Sequence, residues 1–199
     1  ALVDDRPEDD NAARIFYQFL LRHDQEAEAA AVLERALEAS PKSVSLRLLK
    51  AGSLEQAQDW DGAIALYKAL YETESANQII ANNLASLITT YRSDQASLDQ
   101  AYQIARRLRD TDIPAFQDTY GWIVFRRGDP EAALPYLKSA AEGLPKDPMV
   151  QYHLGAAHFA LGNRDAARET LARALDLAGD DSSTQYQQAR EYLADLDGQ

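Results

Sequence analysis

Three histidines, His23, His153 and His158, are the side chains of this 199-residue chain best suited to proton transfer or metal binding. Their spacing argues against both. His153 and His158 are five residues apart, which on a helix places them on different faces, whereas helical metal pairs sit four apart. His158 reads as a core residue packed against Ala167, the common fate of a histidine among apolar neighbours. The chain has no cysteine, which removes disulfides, thiol nucleophiles and zinc–thiolate sites. No glycine-rich phosphate loop and no HExxH pattern occurs, and the carboxylate pair Asp180-Asp181 falls in a turn, where capping and solubility account for it. Nothing here combines a nucleophile with a base, a metal cluster or a phosphate cradle. The expectation is a protein that is not an enzyme and takes neither cofactor nor metal.

Charge narrows the choice of partner. Twenty basic residues face 32 acidic ones, a net of −12, so a nucleic acid or an anionic bilayer is repelled by the overall field. Arg106-Arg107 with Arg109 is the one candidate basic patch, and it reads as a solvated helix face. With 46% apolar and 26% charged residues the chain can pack a core. No apolar run approaches the ~18 residues needed to span a bilayer, so direct membrane insertion is not expected. Ala1-Leu2-Val3-Asp4-Asp5 lacks the basic and apolar regions of a signal peptide, and the missing initiator Met points to a processed or internal start.

What must position any functional side chain is a repeat. Small residues recur at Ala29, Ala63, Ala101, Ala133 and Ala167, with separations of 34, 38, 32 and 34. Seven residues on stand Ala36, Leu70, Leu108, Ala140 and Ala174; another column runs Tyr17, Ala51, Ala85, Gly121, Gly155. A period near 34 with small residues in the middle of two amphipathic stretches is a helical hairpin whose helices cross closely. Gly128-Asp129-Pro130 supplies a turn, an N-cap and a proline at the first helical position. Gly162-Asn163 repeats that device, and Gln58-Asp59 is a weaker version. Asp10, Ser43 and Asp147-Pro148 are expected to cap first helices. The spacing predicts an acidic leader over 1–9 and five units, 10–43, 44–77, 78–113, 114–147 and 148–181. The third is expected to carry about one extra helical turn between Thr89 and Leu98. Residues 182–199 form a lone helix with Tyr186, Ala189, Tyr192 and Leu193 on its apolar side, the polar-backed cap a solenoid needs. Leu2 and Val3 read as the remnant of a preceding unit, and Pro135 predicts a kink in the second helix of unit four.

The stretches Tyr120-Gly121-Trp122 to Ala133 and His153-Leu154-Gly155 to Ala167 carry a resemblance to the tetratricopeptide repeat family, which extends over 10–181. Units one and two depart from the pattern, with Tyr17 in place of the usual small residue and no turn glycine. Asn82-Asn83-Leu84-Ala85, Asp118-Thr119-Tyr120-Gly121-Trp122 and Tyr152-His153-Leu154-Gly155 are similar to bacterial members tied to the envelope, exopolysaccharide export or PEP-CTERM-type protein sorting. Bacterial periplasm, envelope and cytoplasm all stay open as compartments.

The resemblance implies an all-α, right-handed α-solenoid of stacked helix-turn-helix repeats with a C-terminal capping helix, acting as a scaffold that binds a protein or peptide. It also implies that first helices line a concave groove. Carried onto this chain, groove positions are Arg14, Gln18 and Arg22; Leu48, Gly52 and Glu55; Asn82, Asn83, Ser86 and Thr89; Asp118, Trp122, Phe125 and Arg126; and Tyr152, Ala156 and Phe159. The two asparagines could bond a guest backbone, and the aromatics could anchor its apolar side chains. Packing between repeats is the competing role of Trp122 and Phe125, and a bond across the adjacent helix that of the asparagines. A subclass of the family holds chaperone carboxylates with a lysine pair; the comparable places here carry Arg14, Gln18, Ser45, Leu49 and Asn82, so that partner is not expected. A second class of function is self-association of the repeats into a homo-oligomer.

Overall fold

A computed structural model of the chain describes residues 9–198; the leader before Asp9 and the remnant at Leu2 and Val3 lie outside them. Every regular element among the described residues is helical. In order these are α1 (Asp10–Arg22), α2 (Glu26–Ala39), α3 (Val44–Gln56), α4 (Trp60–Thr73), α5 (Gln78–Tyr91) and α6 (Gln95–Ala105). A 3₁₀ turn (Arg106–Leu108) follows, then α7 (Pro114–Arg126), α8 (Pro130–Gly143), α9 (Pro148–Ala160), α10 (Arg164–Ala178) and α11 (Thr184–Asp197). The fold is an all-α solenoid type built from helix hairpins. It divides into two compact units, one ending at Ile80 and one starting at Ala81, so the division falls within α5.

In the first unit, α1 buries Ala13, Tyr17 and Leu20, spaced four and three apart, against Ala29, Val32, Leu33 and Ala36 of α2 and Leu46 of α3. α1 packs on both α2 and α3, and α3 pairs with α4. In the second unit, α7 pairs with α8 and α9 with α10; α9 also touches α7 and α11, so each first helix meets the next. The glycine column explains how close the hairpins come. A Cβ on Gly121 would stand 2.9 Å from Leu137 Cγ, and one on Gly155 2.7 Å from Leu171 Cδ2. Only a residue without a side chain allows these crossings.

Helix starts follow the polar caps. Ser43, Asp59, Asp94, Asp129 and Asp147 each accept a backbone N–H of the first turn, an interaction worth about 1 kcal/mol apiece. At α1 the cap is Asp9, which accepts from Asn11 and Ala12 N–H; Asp10, expected in that role, is already the first helical residue. Asn163 precedes α10 without capping it and meets His158 Nδ1 at 3.2 Å instead. α8 runs unbroken through Pro135. That proline is exposed, so the carbonyl it leaves without an amide partner is on the water side.

The structure resets the repeat register at unit three. In α2, α4, α8 and α10 the fourth helical residue is Ala29, Ala63, Ala133 or Ala167; in α6 it is Leu98, not Ala101. Ala105 likewise takes the column assigned to Leu108. No extra turn is inserted between Thr89 and Leu98: α5 has 14 residues against 13 in α3, and one further residue enters the 109–113 linker. Leu98, Ala101, Ala105 and Leu108 are all buried, so the apolar pattern alone fits two registers.

The far end of α11 is clamped. Arg164 and Arg168 of α10 both donate to the Leu196 carbonyl, and Arg168 also bonds the Asp197 carboxylate at 3.1 Å. Guanidinium groups here satisfy carbonyls that the last turn leaves free, at the negative end of the helix dipole. The start of α11 has no side-chain cap on its amides.

Candidate functional site

The features best able to receive a ligand converge in the second unit, where α7, α9 and α11 surround a pocket of about 500 Å³. Trp122, Phe125 and Arg126 project from one stripe of α7, because residues three and four apart share a helix face. Met149 and Tyr152 face them from α9; Thr184, Gln185, Gln188 and Tyr192 come from α11.

Its wall is a stack of rings. Trp122 lies parallel to Phe125 with centroids 4.9 Å apart, and parallel to His153 at 4.0 Å. His153 is held in turn: Nδ1 lies 2.9 and 3.0 Å from the two carboxylate oxygens of Asp118. Both residues are buried, so the pair joins two helices in a setting where an unmatched partner is costly. Arg126 donates from Nη1 to the Thr89 carbonyl at 3.0 Å, and its guanidinium stands 5.9 Å from the Trp122 ring centre. Tyr152 is buried, and its hydroxyl donates to Gln188 Oε1 at 2.7 Å. Burial pushes the Tyr152 phenol above its ordinary range, so it is a proton donor, not a base, at neutral pH. Phe159 stacks on Tyr192 at 4.3 Å.

The other groove positions take varied places. In the first unit Gln18 and Arg22 are exposed, Arg14 donates to Asn11 Oδ1 at 2.7 Å, and Leu48 and Gly52 are half-buried. Glu55 accepts the Tyr67 hydroxyl at 2.8 Å, which ties it to α4. In the second unit Asn82 Nδ2 donates to Asn83 Oδ1 at 3.2 Å. Asn82 Oδ1 is shielded from solvent and has no partner among the described residues. Ser86 is half-buried, with its carbonyl accepting from the Thr90 hydroxyl. Thr89 is fully buried and spends its hydroxyl on the Ala85 carbonyl at 2.7 Å; it offers no side chain to a guest. Ala156 is buried as well.

Sequence reasoning missed His153 as a wall residue and missed the α11 contribution. Gln188 and Tyr192, four apart on one helix, were the available signal for the latter. Chemically the pocket offers aromatic edges, glutamine amides and threonine hydroxyls. Among the described residues no three His, Asp or Glu side chains converge as metal ligands do, and no helix is long and apolar enough to cross a membrane.

Two sequence models described as tetratricopeptide repeat match residues 20–79 and 124–193, together more than half of the chain. No curated protein matches. Among solved structures, YrrB, a TPR protein with an unusual peptide-binding site, is 16% identical with a TM-score of 0.63, covering 96% of each chain. TTC0263, a thermophilic TPR protein of Thermus thermophilus, is 18% identical with a TM-score of 0.66, covering 96% of this chain and all of that one. Pseudomonas aeruginosa pilF is 17% identical with a TM-score of 0.66, covering 94% and 88%. At such identities the likeness is one of fold.

Proposed function

We propose that this chain, which belongs to the tetratricopeptide repeat family, is a non-catalytic scaffold whose second unit takes an apolar or aromatic side chain of a partner polypeptide into the pocket between α7, α9 and α11. The family's general role is protein–protein interaction, and no enzymatic family is indicated. The observation that carries the finer reading is the ring stack Phe125–Trp122–His153, pinned by Asp118, beside a 500 Å³ opening. A pre-ordered aromatic wall lowers the entropic cost of capture, and glutamine amides at the rim can bond a guest backbone. Trp122 contributes mainly its edge, since both neighbours stack on its faces.

Selection of displayed peptides on the intact chain tests this. Peptides enriched for apolar anchors should lose at least about tenfold in affinity with Phe125→Ala plus Gln188→Ala, while helicity and melting temperature stay close to wild type. Undiminished binding by that variant would remove the pocket from the interface.

A second reading, self-association into a homo-oligomer, is favoured by one observation. On α1, Ile15, Phe16 and Phe19 are 54%, 38% and 50% exposed, an unusual display of large apolar side chains on one helix. Light scattering over a concentration series separates the readings: Ile15→Glu with Phe19→Glu should abolish any oligomer without altering peptide binding.

A further inference from the structure

Behind α7, on the stripe away from Trp122, three tyrosines from three successive helices meet. Tyr102 of α6 and Tyr120 of α7 have centroids 6.1 Å apart; Tyr120 and Tyr136 of α8 meet edge to face at 4.8 Å. With Arg109 and Arg127 they line a second opening of about 450 Å³. Arg127 lies 4.1 Å from the centre of the Tyr102 ring, and its Nε bonds Asp99 at 3.0 Å. That leaves its terminal amino groups without a hydrogen bond among the described residues. Arg109, expected to belong to a solvated face, lines this opening beside Tyr136. Its only ion pair among the described residues is with Asp110, 4.0 Å away and almost wholly exposed.

Apart from one carboxylate, the polar side chains that line this opening can all donate a hydrogen bond. Burial, reinforced by the neighbouring Tyr102, pushes the Tyr120 phenol up to about 12, so it keeps its proton at neutral pH. The carboxylate is Asp129, and one of its oxygens is engaged in capping α8 at Ala132 N–H. Two guanidinium groups and three phenols around a concave space match the lone pairs of an oxyanion. Asp99, Asp110 and Asp129 supply enough negative charge nearby to penalise a dianion.

We infer that the Tyr102–Tyr120–Tyr136 opening, with Arg109 and Arg127 at its rim, binds a singly charged carboxylate. Its carrier is a small organic acid or an acidic side chain. Tyrosine rings and the Val124 and Ala132 side chains supply apolar contact for the body bearing the charge. This site is independent of the α7–α9–α11 pocket and of the reading built on it.

The test is a titration of the intact chain followed by NMR at the arginine Nε–H groups. Three probes are added separately: sodium benzoate, a capped Gly-Glu-Gly peptide and inorganic phosphate. Benzoate or the peptide should shift Arg109 and Arg127 saturably, at about millimolar concentration as befits one charge-assisted contact in an open site; the tighter of the two identifies the carrier. Arg109→Gln with Tyr136→Phe should weaken that response about tenfold. Arg109 is exposed and phenylalanine keeps the ring contact, so this variant retains the fold, which circular dichroism verifies. No saturable shift from either carboxylate, an unchanged response in the variant, or tighter binding of phosphate each overturns the assignment.

Discussion

His153 Nδ1 lies nearly equidistant from both carboxylate oxygens of Asp118, at 3.0 and 2.9 Å, across 35 residues of sequence. The bond fixes the imidazole plane, and that plane carries Trp122 at 4.0 Å. A residue that touches no ligand therefore sets the orientation of the ring that borders the pocket.

Asp118→Ala should cost roughly 1–3 kcal/mol, because it strands a buried donor while leaving a small void. Urea denaturation measures the loss. The same variant should blunt peptide binding more than its stability loss explains, because Trp122 gains freedom. A change below about 0.5 kcal/mol would show that the pair does not organise the wall.

Two glycines on equivalent-looking helices should respond in opposite directions. Gly155→Ala forces a methyl against Leu171, which is fully buried and cannot yield; the expected loss is about 1–3 kcal/mol. Around Gly52 nothing lies within 4 Å of an added Cβ. Gly52→Ala should therefore stabilise α3 by roughly 0.5–1 kcal/mol. Thermal melts of the two variants compare them directly.

Asp24 and Gln58 hold left-handed backbone, with φ of 57° and 59°, at the hairpin turns where Gly128 and Gly162 stand in later repeats. A side chain there is strained. Gln58→Gly should gain about 0.5–1 kcal/mol, the relief being partly offset by the freer unfolded chain. A loss on chemical denaturation would mean that the Gln58 side chain supplies a compensating contact.

Those turns also show where the fold was legible. Gly121 and Gly155 announced close crossings because no other residue fits there, and Asp129-Pro130 and Asp147-Pro148 announced helix starts. Gln58-Asp59 gave only a weak turn signal and Asp24 none, since neither residue type favours positive φ as glycine does. At unit three, Ala101 and Leu108 mimic the true column of Leu98 and Ala105, and period counting chose the wrong pair. The site was less readable than the fold. Arg126, Trp122 and Phe125 share a stripe visible in their spacing, but the Asp118–His153 bond joins residues on separate helices, and Thr89 faces inward from a helix whose polarity suggested otherwise.

Acid and alkali should erode stability through different side chains. Burial, reinforced by Lys138, holds the His158 imidazole below its ordinary 6.5. The unfolded chain therefore takes up this proton first, and the associated stability, present above about 6.5, falls as pH drops towards the lower folded value. Tyr120 is raised from 10.0 to about 12, so its share is complete below about 10 and is lost as pH climbs to about 12. His158→Gln should flatten the acid limb of a stability–pH curve, and Tyr120→Phe the alkaline limb. Identical limbs in wild type and variant would assign the titration elsewhere.

The two arginines that grip the Leu196 carbonyl leave α11 mechanically lopsided. Its tail is riveted to α10, while its uncapped start bears Thr184, Gln185 and Gln188, three of the four residues it lends to the pocket. Thermal fraying must begin at the loose end, so amide exchange should run faster over 184–188 than over 193–197. The pocket's α11 side is therefore held from two directions, by the arginines at one end and by the Tyr152–Gln188 bond nearer the other.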